Sequence, residues 1–273
     1  MKDLNKDHLF DLSNKTAVVI GGAGILGEVY CIALAQAGGT VIIGDYDQEK
    51  GNILLQKLQS ISRKRHCYVF VDLRSEISII QFAEKVHAEF TSVDVLINNA
   101  ACKSNGFFDP LESYSLECWN DVMSVNLTSV FLMCREFGSS MAKRGHGSII
   151  NISSIYGLVG PDQRIYKDAR YDAVGGNINT PLVYSASKGA IVALTRYLAT
   201  YWGKDGIRSN CVTPGGVQSG QNEDFVYNYS SRVPLGRMAQ RSELAGAIVY
   251  LSSDASSYIN GHNLIIDGGW TSL

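Results

Sequence analysis

The stretch from Lys15 to Ala37 constrains the fold more than any other part of the sequence. Lys15 to Ile20 (KTAVVI) has the pattern of a short buried strand, a glycine-rich turn follows, and an apolar-periodic helix then runs to Ala37. Glycines permit a tight turn and let backbone N–H groups approach a pyrophosphate, which the helix N-terminus favours electrostatically. Glycines also make ordinary tight turns, so the order strand, glycine turn, helix predicts a dinucleotide-binding unit only together with its context.

That context begins with an acid at the end of the next strand. Thr40 to Gly44 (TVIIG) predicts a second strand, and Asp45 follows it, 18 residues after Gly27. A carboxylate at this position accepts hydrogen bonds from both hydroxyls of an adenosine ribose and repels a 2′-phosphate. Asp45 therefore favours NAD over NADP, with an acid of a surface turn as the alternative.

Polar residues also follow the next predicted strands. The carboxyl ends of parallel strands meet at one edge of a sheet, where ligands bind. We expect Asp72 to cap an adenine and Asn98 to hold the strand end beside a ribose, with a helix cap and a turn residue as the respective alternatives. The strands and the residues that follow them are Cys67 to Val71 before Asp72, Val93 to Ile97 before Asn98-Asn99-Ala100, and Ser148 to Ile152 before Ser153-Ser154.

A tyrosine and a lysine stand four residues apart at the start of a later helix. Apolar residues recur at helical spacing from Lys188 to Trp202, so Tyr184 and Lys188 should project from the same helical face. A phenol titrates at about 10 and carries protons poorly at neutral pH unless a neighbouring cation lowers its pKa. Lys188 would supply that cation, although such pairs are often merely solvated.

One polar residue interrupts a long apolar segment. Asn126 lies in VMSVNLTSVF, within a mostly helical stretch from Leu111 to Met141. A buried amide needs hydrogen-bond partners, so Asn126 is either structural or part of a site.

Charge, apolar runs and cysteines exclude several classes of protein. The formal charge of -2 and the pI of about 6.2 argue against nucleic acid as a partner. The N-terminus has no signal-peptide core, and no run approaches the roughly 18 apolar residues of a membrane helix, so we expect a cytoplasmic protein away from membranes. The six cysteines are scattered without a C-x-x-C pair, which indicates reduced thiols and no metal site.

Taken in order, these motifs resemble the classical short-chain dehydrogenase/reductase family from about Asn14 to the C-terminus. The resemblance implies an α/β fold, a doubly wound (Rossmann) parallel sheet of about seven strands with helices on both faces, as a single domain over residues 1–273. It implies the catalytic residues Asn126, Ser154, Tyr184 and Lys188. It implies the cofactor-binding residues Gly21, Gly24, Ile25, Leu26, Gly27, Asp45, Asp72, Leu73, Asn98, Ala100, Tyr184, Lys188, Pro214, Gly215, Val217 and Ser219.

The resemblance also implies what these residues do. Tyr184 as a phenolate takes the proton of a substrate hydroxyl, and Ser154 holds the reacting oxygen by a hydrogen bond. Lys188 lowers the pKa of Tyr184 and binds the nicotinamide ribose, while Asn126 holds a water that links Lys188 to solvent. The backbone at Val217 and the Ser219 hydroxyl are candidate partners of the nicotinamide carboxamide.

The sequence departs from the family at three places. The glycine spacing is G-x-x-G-x-x-G, which leaves the contacts to the pyrophosphate open, and Ala101 stands where the family has glycine. Ser154 and Tyr184 are 30 residues apart instead of about a dozen, because a polar insertion, Pro161 to Thr180, lies between them. We expect this insertion, residues 161–180, to lie outside the core at the rim of the active site.

Two segments are predicted to meet the substrate. In the insertion, Arg164, Lys167 and Arg170 would pair with a phosphate or carboxylate, Tyr166 and Tyr171 would stack on a ring, and Gly175-Gly176 would act as a hinge. Alternatively, Asp162, Asp168 and Asp172 neutralise those bases. Residues 218–234, with Phe225, Tyr227 and Tyr229, resemble the family's substrate loop, or form an ordinary surface loop.

The predicted function is NAD-dependent hydride transfer to or from a secondary alcohol or ketone of a sugar derivative. The stretches SSIYGLVGPDQRIY, TPLVYSASKGAI and IDGGWTSL resemble a branch found with bacterial flagellin-modification and sialic-acid-like sugar pathways, which would make the substrate a sugar derivative, either free or nucleotide-linked. The alternatives are a non-catalytic NAD-binding sensor or scaffold, and an epimerase or dehydratase that holds NAD tightly. The family implies a homotetramer, with a dimer next.

Overall fold

Seven parallel strands form the central sheet of the protein, whose computed structural model describes residues 9–171 and 176–273. The order across the sheet is β3-β2-β1-β4-β5-β8-β9, and every neighbouring pair is parallel. The strands are β1 (Thr16–Ile20), β2 (Thr40–Asp45), β3 (Cys67–Phe70), β4 (Val95–Asn98), β5 (Gly147–Ile152), β8 (Ile207–Pro214) and β9 (Asn263–Ile266), with β6 (Arg170–Tyr171) and β7 (Gly176–Asn177) forming a separate antiparallel pair.

Helices connect the strands. They are α1 (Ile25–Gln36), α2 (Gln48–Ile61), α3 (Glu76–Glu89), α4 (Leu116–Met123), α5 (Ser129–Met133), α6 (Ser139–Arg144), α7 (Leu182–Tyr201), α8 (Glu223–Ser230) and α9 (Ala245–Ser252). Two π-helical turns, Ser124–Thr128 and Cys134–Gly138, join α4 to α5 and α5 to α6, so residues 116–144 are helical throughout. Of the helices within the described part of the chain, none is long and apolar enough to cross a bilayer.

The helices cover both faces of the sheet. Side chains alternate along a strand, so Val18 and Ile20 of β1 pack with α3, α5 and α7, whereas Ala17 and Val19 pack with α1, α2 and α9. Both faces of the central strands are therefore buried, which is why their sequences are continuously apolar. The doubly wound parallel sheet is confirmed.

The chain reverses its direction across the sheet between β1 and β4. From β1 it moves outward through β2 and β3, and from β4 it moves the other way through β5, β8 and β9. Ligands bind at such a switch point, in the crevice beyond the carboxyl ends of the strands. Gly21 and Ala100, which follow β1 and β4 closely, lie there.

The insertion is part of a small apolar cluster, which contradicts our expectation that it lies outside the core. Ile165 and Ala169 are 1 % and 0 % exposed and pack in one cluster with Phe225 and Tyr229 of α8. The insertion has too few apolar residues to show a period, and its partners lie about 60 residues further along the chain. Of the predicted insertion residues, Asp172 and Gly175 lie outside the described residues, as does the side chain of Tyr171.

Candidate active site

The glycine turn after β1 is closely packed against the end of β4. Gly21 has a φ of +71°, and a Cβ there would lie 2.7 Å from the Ala100 Cα. A Cβ at Gly27 would lie 2.1 Å from the Gly21 carbonyl oxygen, so α1 can begin directly at the turn only because this residue is glycine. Gly24 is the N-cap of α1. The altered glycine spacing therefore still produces the strand, turn and helix.

Asp45 ties the glycine turn to the end of β2. Its carboxylate is 7 % exposed, accepting the Ala23 N–H at 3.0 Å on Oδ2 and the Asp47 N–H at 3.1 Å on Oδ1. Both bonds come from backbone groups, so the carboxylate is held at the wall of the cavity beside the turn. An anion fixed here matches a ribose hydroxyl pair and opposes a phosphate.

A cavity of about 520 Å³ runs from Asp45 past the glycine turn to the loop after β4. Its size, its glycine wall and its buried acid fit an adenine dinucleotide. The predicted cofactor-binding residues that line it are Gly21, Gly24, Ile25, Leu26, Asp45, Asp72, Leu73 and Ala100. Asp72 lines the cavity and also accepts the Arg74 N–H at 3.0 Å, so it is both a wall and a turn residue.

Asn98 holds the end of β4 to the neighbouring strand, as expected, but it does not line the dinucleotide cavity, so its place beside a ribose stays a prediction. Its side-chain nitrogen donates to the Asn151 oxygen at 2.8 Å and to the Cys134 sulfur at 3.4 Å, and the residue is 4 % exposed. The neighbouring Asn99 lines the cavity instead and donates to the Gly21 carbonyl at 2.9 Å. Successive side chains point to opposite sides of an extended segment, and this alternation directs Asn98 into the sheet.

A second cavity, of about 360 Å³, adjoins the first at Ile25 and at residues 101–103. Ser154 and Tyr184 line it, and so do three predicted cofactor residues, Gly215, Val217 and Ser219. Pro214 ends β8 behind them and is not among the residues that line this cavity. The dinucleotide cavity thus leads into a smaller chamber with the Ser–Tyr pair in its wall.

Lys188 lies behind Tyr184, and its amine is 5.8 Å from the centre of the Tyr184 ring. It is 3 % exposed and donates to the Ile152 carbonyl at 2.8 Å. Burial lowers the pKa of Lys188 to about 8. Burial also raises the pKa of Tyr184, and the hydrogen bond with Ser154 opposes that rise. Burial is the larger of these two effects, so in this arrangement the pKa of Tyr184 lies above its ordinary value.

A close contact between a turn and α7 brings Ser154 to Tyr184. The Ser153 hydroxyl donates to the Lys188 carbonyl at 2.7 Å, and a Cβ at Gly157 would lie 2.5 Å from the Lys188 carbonyl carbon. Glycine at position 157 therefore lets the chain after β5 lie directly on α7. This contact places Ser154 beside Tyr184 although the two are 30 residues apart.

Asn126 occupies the first π-helical turn and is 1 % exposed. Its side-chain oxygen accepts the Cys102 N–H at 3.0 Å, and its nitrogen donates to the Ser187 hydroxyl at 3.4 Å. It thus connects the loop between the two cavities to α7, one residue before Lys188. The predicted water held by Asn126 stays a prediction.

Besides Tyr184, the wall of the second cavity contains Tyr156, Tyr166 and Tyr229, which come from three separate segments. Tyr166 and Tyr229 were predicted to meet the substrate, whereas Tyr156 was not identified from the sequence. The Tyr166 hydroxyl donates to the Tyr156 hydroxyl at 3.2 Å and also contacts the Thr180 hydroxyl. The Tyr229 hydroxyl accepts the Gly216 N–H at 2.5 Å. No local pattern could have revealed this cluster, because its members are far apart in the sequence.

The alternative predicted for the charges of the insertion holds for one base, Arg164. Arg164 has an ion pair of 2.8 Å with Asp162, and its side chain is 78 % exposed. Lys167 and Arg170 are exposed and do not line the cavity. The insertion contributes uncharged groups to the cavity instead, namely Tyr166, Ile178, Asn179 and Thr180.

The fold and this site define a pyridine-nucleotide-dependent oxidoreductase of the doubly wound class. Comparison with known proteins agrees: residues 22–271 match the family model described as enoyl-(acyl carrier protein) reductase. The chain belongs to the classical short-chain dehydrogenase/reductase family.

Three members of the family are similar to this chain over nearly its whole length. The D-threitol dehydrogenase of Mycolicibacterium smegmatis is 32 % identical, over 99 % of this chain and 98 % of the relative. A gluconate 5-dehydrogenase from Burkholderia cenocepacia, solved with NADP and tartrate, has a TM-score of 0.86 and 28 % identity over 98 % of this chain and 99 % of its own. A short-chain dehydrogenase from Leptospira borgpetersenii with bound NAD+ has a TM-score of 0.82 and 32 % identity over 96 % and 94 %.

Proposed function

We propose that the protein transfers hydride between NAD and a secondary alcohol or ketone of a sugar derivative. The observation that carries this proposal is the position of Ser154 and Tyr184. Both line the second cavity, which adjoins the dinucleotide cavity, and Lys188 lies behind Tyr184. A substrate carbon in the second cavity would then face both a proton carrier and the dinucleotide.

The residues divide the work between them. When bound, the dinucleotide accepts or returns the hydride. In the oxidation direction Tyr184 takes the hydroxyl proton of the substrate, and Ser154 keeps the same oxygen within hydrogen-bonding distance of Tyr184. Lys188 is held in place by the Ile152 carbonyl, and its charge favours the phenolate form of Tyr184 once a proton is to be removed.

The lining of the second cavity supports a polyhydroxyl substrate. Tyr156, Tyr166 and Thr180 present hydroxyl groups, and Asn179 adds an amide whose nitrogen donates to the Phe108 carbonyl at 2.9 Å. Alternating aromatic surface and hydroxyl groups suit a sugar chain or ring. The names of the relatives, a polyol and a sugar-acid dehydrogenase, point to the same class of substrate.

The narrower expectation, a nucleotide-linked sugar of a flagellin-modification or sialic-acid-like pathway, stays a prediction. Its most direct support is the insertion, which enlarges the wall of the substrate cavity with Tyr166 and Asn179. The proposed substrate-contacting segments are residues 161–180 and 218–234. A cytoplasmic location also stays a prediction.

The preference for NAD over NADP rests on Asp45 alone. Its carboxylate is buried at the cavity wall and would stand against a 2′-phosphate. The solved relatives include one with NADP and one with NAD+. NAD is therefore proposed from this chain's own residue, with NADP as the alternative.

The test is absorbance at the reduced-nicotinamide band while the protein is incubated with NAD and a panel of polyols, sugar acids and sugars. We expect turnover with at least one member, and turnover at least about 10²-fold slower in Tyr184→Phe. A non-catalytic sensor would bind NAD and change no absorbance with any substrate. A protein that turns over sugars without net formation of reduced nicotinamide would be the epimerase or dehydratase.

A homotetramer is proposed as the assembly, with a dimer next. Large apolar or aromatic side chains are exposed on α4, α5 and α7, including Leu116, Phe131, Tyr197 and Tyr201 at 51–72 %. Such surfaces commonly bind a second protein, and here the proposed partner is another copy of the chain. Sedimentation that shows only monomer at micromolar concentration would contradict this.

A further inference from the structure

A glutamine side chain occupies the loop where the nicotinamide is expected to bind. Gln221 lines the second cavity together with Tyr184, Val217 and Ser219. Its amide nitrogen donates to the Val217 carbonyl at 3.1 Å and to the Ser219 hydroxyl at 3.1 Å. Its amide oxygen accepts the Ser219 N–H at 2.8 Å. Both ends of one carboxamide are therefore hydrogen-bonded by two residues of the same loop.

These partners are the ones that the family resemblance gives to the nicotinamide. The backbone at Val217 and the Ser219 hydroxyl are the candidate partners of its carboxamide. A glutamine side chain ends in the same chemical group, a primary carboxamide with one acceptor oxygen and two N–H donors. The Val217 carbonyl and the Ser219 hydroxyl cannot form full hydrogen bonds with both the Gln221 side chain and the nicotinamide carboxamide at the same time.

We propose that Gln221 is an internal substitute for the nicotinamide carboxamide, and that NAD must displace it from Val217 and Ser219 to bind productively. The inference rests on the proposed function, because it takes the loop after β8 to be the nicotinamide site. NAD then binds productively only to those molecules in which the Gln221 side chain has left the loop. The apparent Kd for NAD is therefore the intrinsic Kd divided by the fraction of such molecules. The adenosine and pyrophosphate parts of the ligand do not compete with it.

Displacement of Gln221 would also shift the substrate-contacting segments, because the next residue is hydrogen-bonded to the insertion. The next residue, Asn222, accepts the Arg170 N–H at 2.9 Å on its side chain and donates its own N–H to the Arg170 carbonyl at 3.2 Å. Its side-chain nitrogen also donates to the Asp168 carbonyl at 3.1 Å. Helix α8, with Phe225 and Tyr229 in the cavity wall, begins one residue later. Release of Gln221 thus connects the nicotinamide to the insertion and favours binding of the cofactor before the substrate.

The experiment compares two ligands on three proteins by titration calorimetry. NAD carries the carboxamide, whereas ADP-ribose has the same adenosine, pyrophosphate and second ribose without it. For Gln221→Ala we expect the Kd for NAD to fall about tenfold, with the Kd for ADP-ribose unchanged within about twofold. Gln221→Asn, one methylene shorter, cannot make all three bonds and should shift in the same direction, which guards against a folding defect in the alanine variant.

The matched control is Gln218→Ala. Gln218 is the same residue type on the same loop, but it is exposed, lies outside the second cavity and bonds Gln240 at 3.3 Å. This variant should leave both Kd values unchanged. Hydrogen exchange adds a second measurement: the amides of Arg170 and Asn222 should differ between the NAD and ADP-ribose complexes of the wild type, and not between those of Gln221→Ala.

Three results would overturn the inference. Weaker NAD binding by Gln221→Ala would mean that Gln221 supports the nicotinamide instead of competing with it. An unchanged Kd for NAD, or an equal change for both ligands, would reduce Gln221 to a local brace of the loop. Failure of the wild type to bind NAD at all is a different outcome, because it would contradict the proposed function itself.

Discussion

The dinucleotide cavity and the substrate cavity are built in different ways. The first is formed by short loops at the ends of β1 to β4, each of which follows its strand directly. The second is formed by the turn after β5, the insertion, the start of α7 and the loop and helix after β8, which meet in one apolar cluster. Local sequence determines the first cavity, whereas contacts between distant segments determine the second.

The difference has a physical basis. A turn at a strand end has its backbone positioned by the sheet, so a single glycine or carboxylate there already has a defined neighbour, as with Gly21 and Ala100. The backbone at Tyr166 is not positioned by the central sheet in this way. Its position depends on Ile165 and Ala169 being buried against α8, a contact that forms only in the folded protein. Substrate specificity can therefore change without disturbing the dinucleotide cavity.

The largest expected effect is the loss of turnover in Tyr184→Phe, which should affect the substrate cavity and leave the dinucleotide cavity unchanged. Tyr184→Phe removes the hydroxyl and keeps the ring, which packs beside the cavity in two apolar clusters. We expect kcat to fall by about 10²- to 10⁴-fold, the range of a positioned acid or base, while the Kd for NAD changes little. Steady-state kinetics and calorimetry check both halves of this statement. A variant that keeps more than about a tenth of the wild-type kcat would exclude Tyr184 as the proton carrier.

The next effect concerns Lys188, which is buried behind Tyr184. Burial lowers its pKa from 10.5 to about 8, so the unfolded chain keeps its proton to higher pH than the folded protein does. Relative to Lys188→Met, the wild type should gain free energy of unfolding as the pH rises from about 8 to 10.5, on the order of 3 kcal/mol. Below pH 8 both states are protonated and the folded protein carries the cost of a buried charge.

Denaturant unfolding of the two proteins at pH 7, 8, 9 and 10, without added ligand, measures this difference. Comparing the two proteins cancels the titration of all other groups. A difference in stability that stays constant over this range would mean that the Lys188 amine is not desolvated in the folded protein.

The smallest expected effect is at Asp45, in the dinucleotide cavity alone. Asp45→Ala should narrow the preference for NAD over NADP, in kcat/KM, by several-fold. Because Asp45 also accepts the Ala23 N–H, Asp45→Asn is the matched variant: it removes the charge and keeps one acceptor for the turn. Both variants should shift the ratio, and only Asp45→Ala should also loosen the turn. A wild-type kcat/KM that is equal or higher with NADP would contradict the claim that the charge of Asp45 disfavours the 2′-phosphate.

The sequence predicted the first cavity far better than the second. Gly21, Asp45 and Asp72 were identified because each directly follows a strand whose apolar run is unmistakable. The run Asn98-Asn99 was harder to interpret: Asn98 bonds the neighbouring strand and Asn99 lines the cavity, and composition cannot tell the two apart.

In the second cavity the helix carrying Tyr184 and Lys188 could be predicted, since four-residue spacing is a local property. The apolar role of Ile165 could not, because one isoleucine in a polar segment has no periodicity. Gln221 likewise carries no signal in the sequence, and its three bonds become visible only once the loop is folded. The pKa of Tyr184 depends on burial, which spacing along a helix does not reveal.

The most direct test of the central claim, that the substrate cavity is a separable addition to the dinucleotide cavity, is to replace residues 161–180 with a short Gly-Ser link. Two quantities are measured on the variant: the Kd for NAD, and kcat/KM for the substrate found in the panel. We predict an unchanged Kd within about twofold and a kcat/KM at least about tenfold lower, because Tyr166 and its neighbours no longer shape the cavity. A folded variant that turns the substrate over normally, or one that loses NAD binding, would contradict the claim.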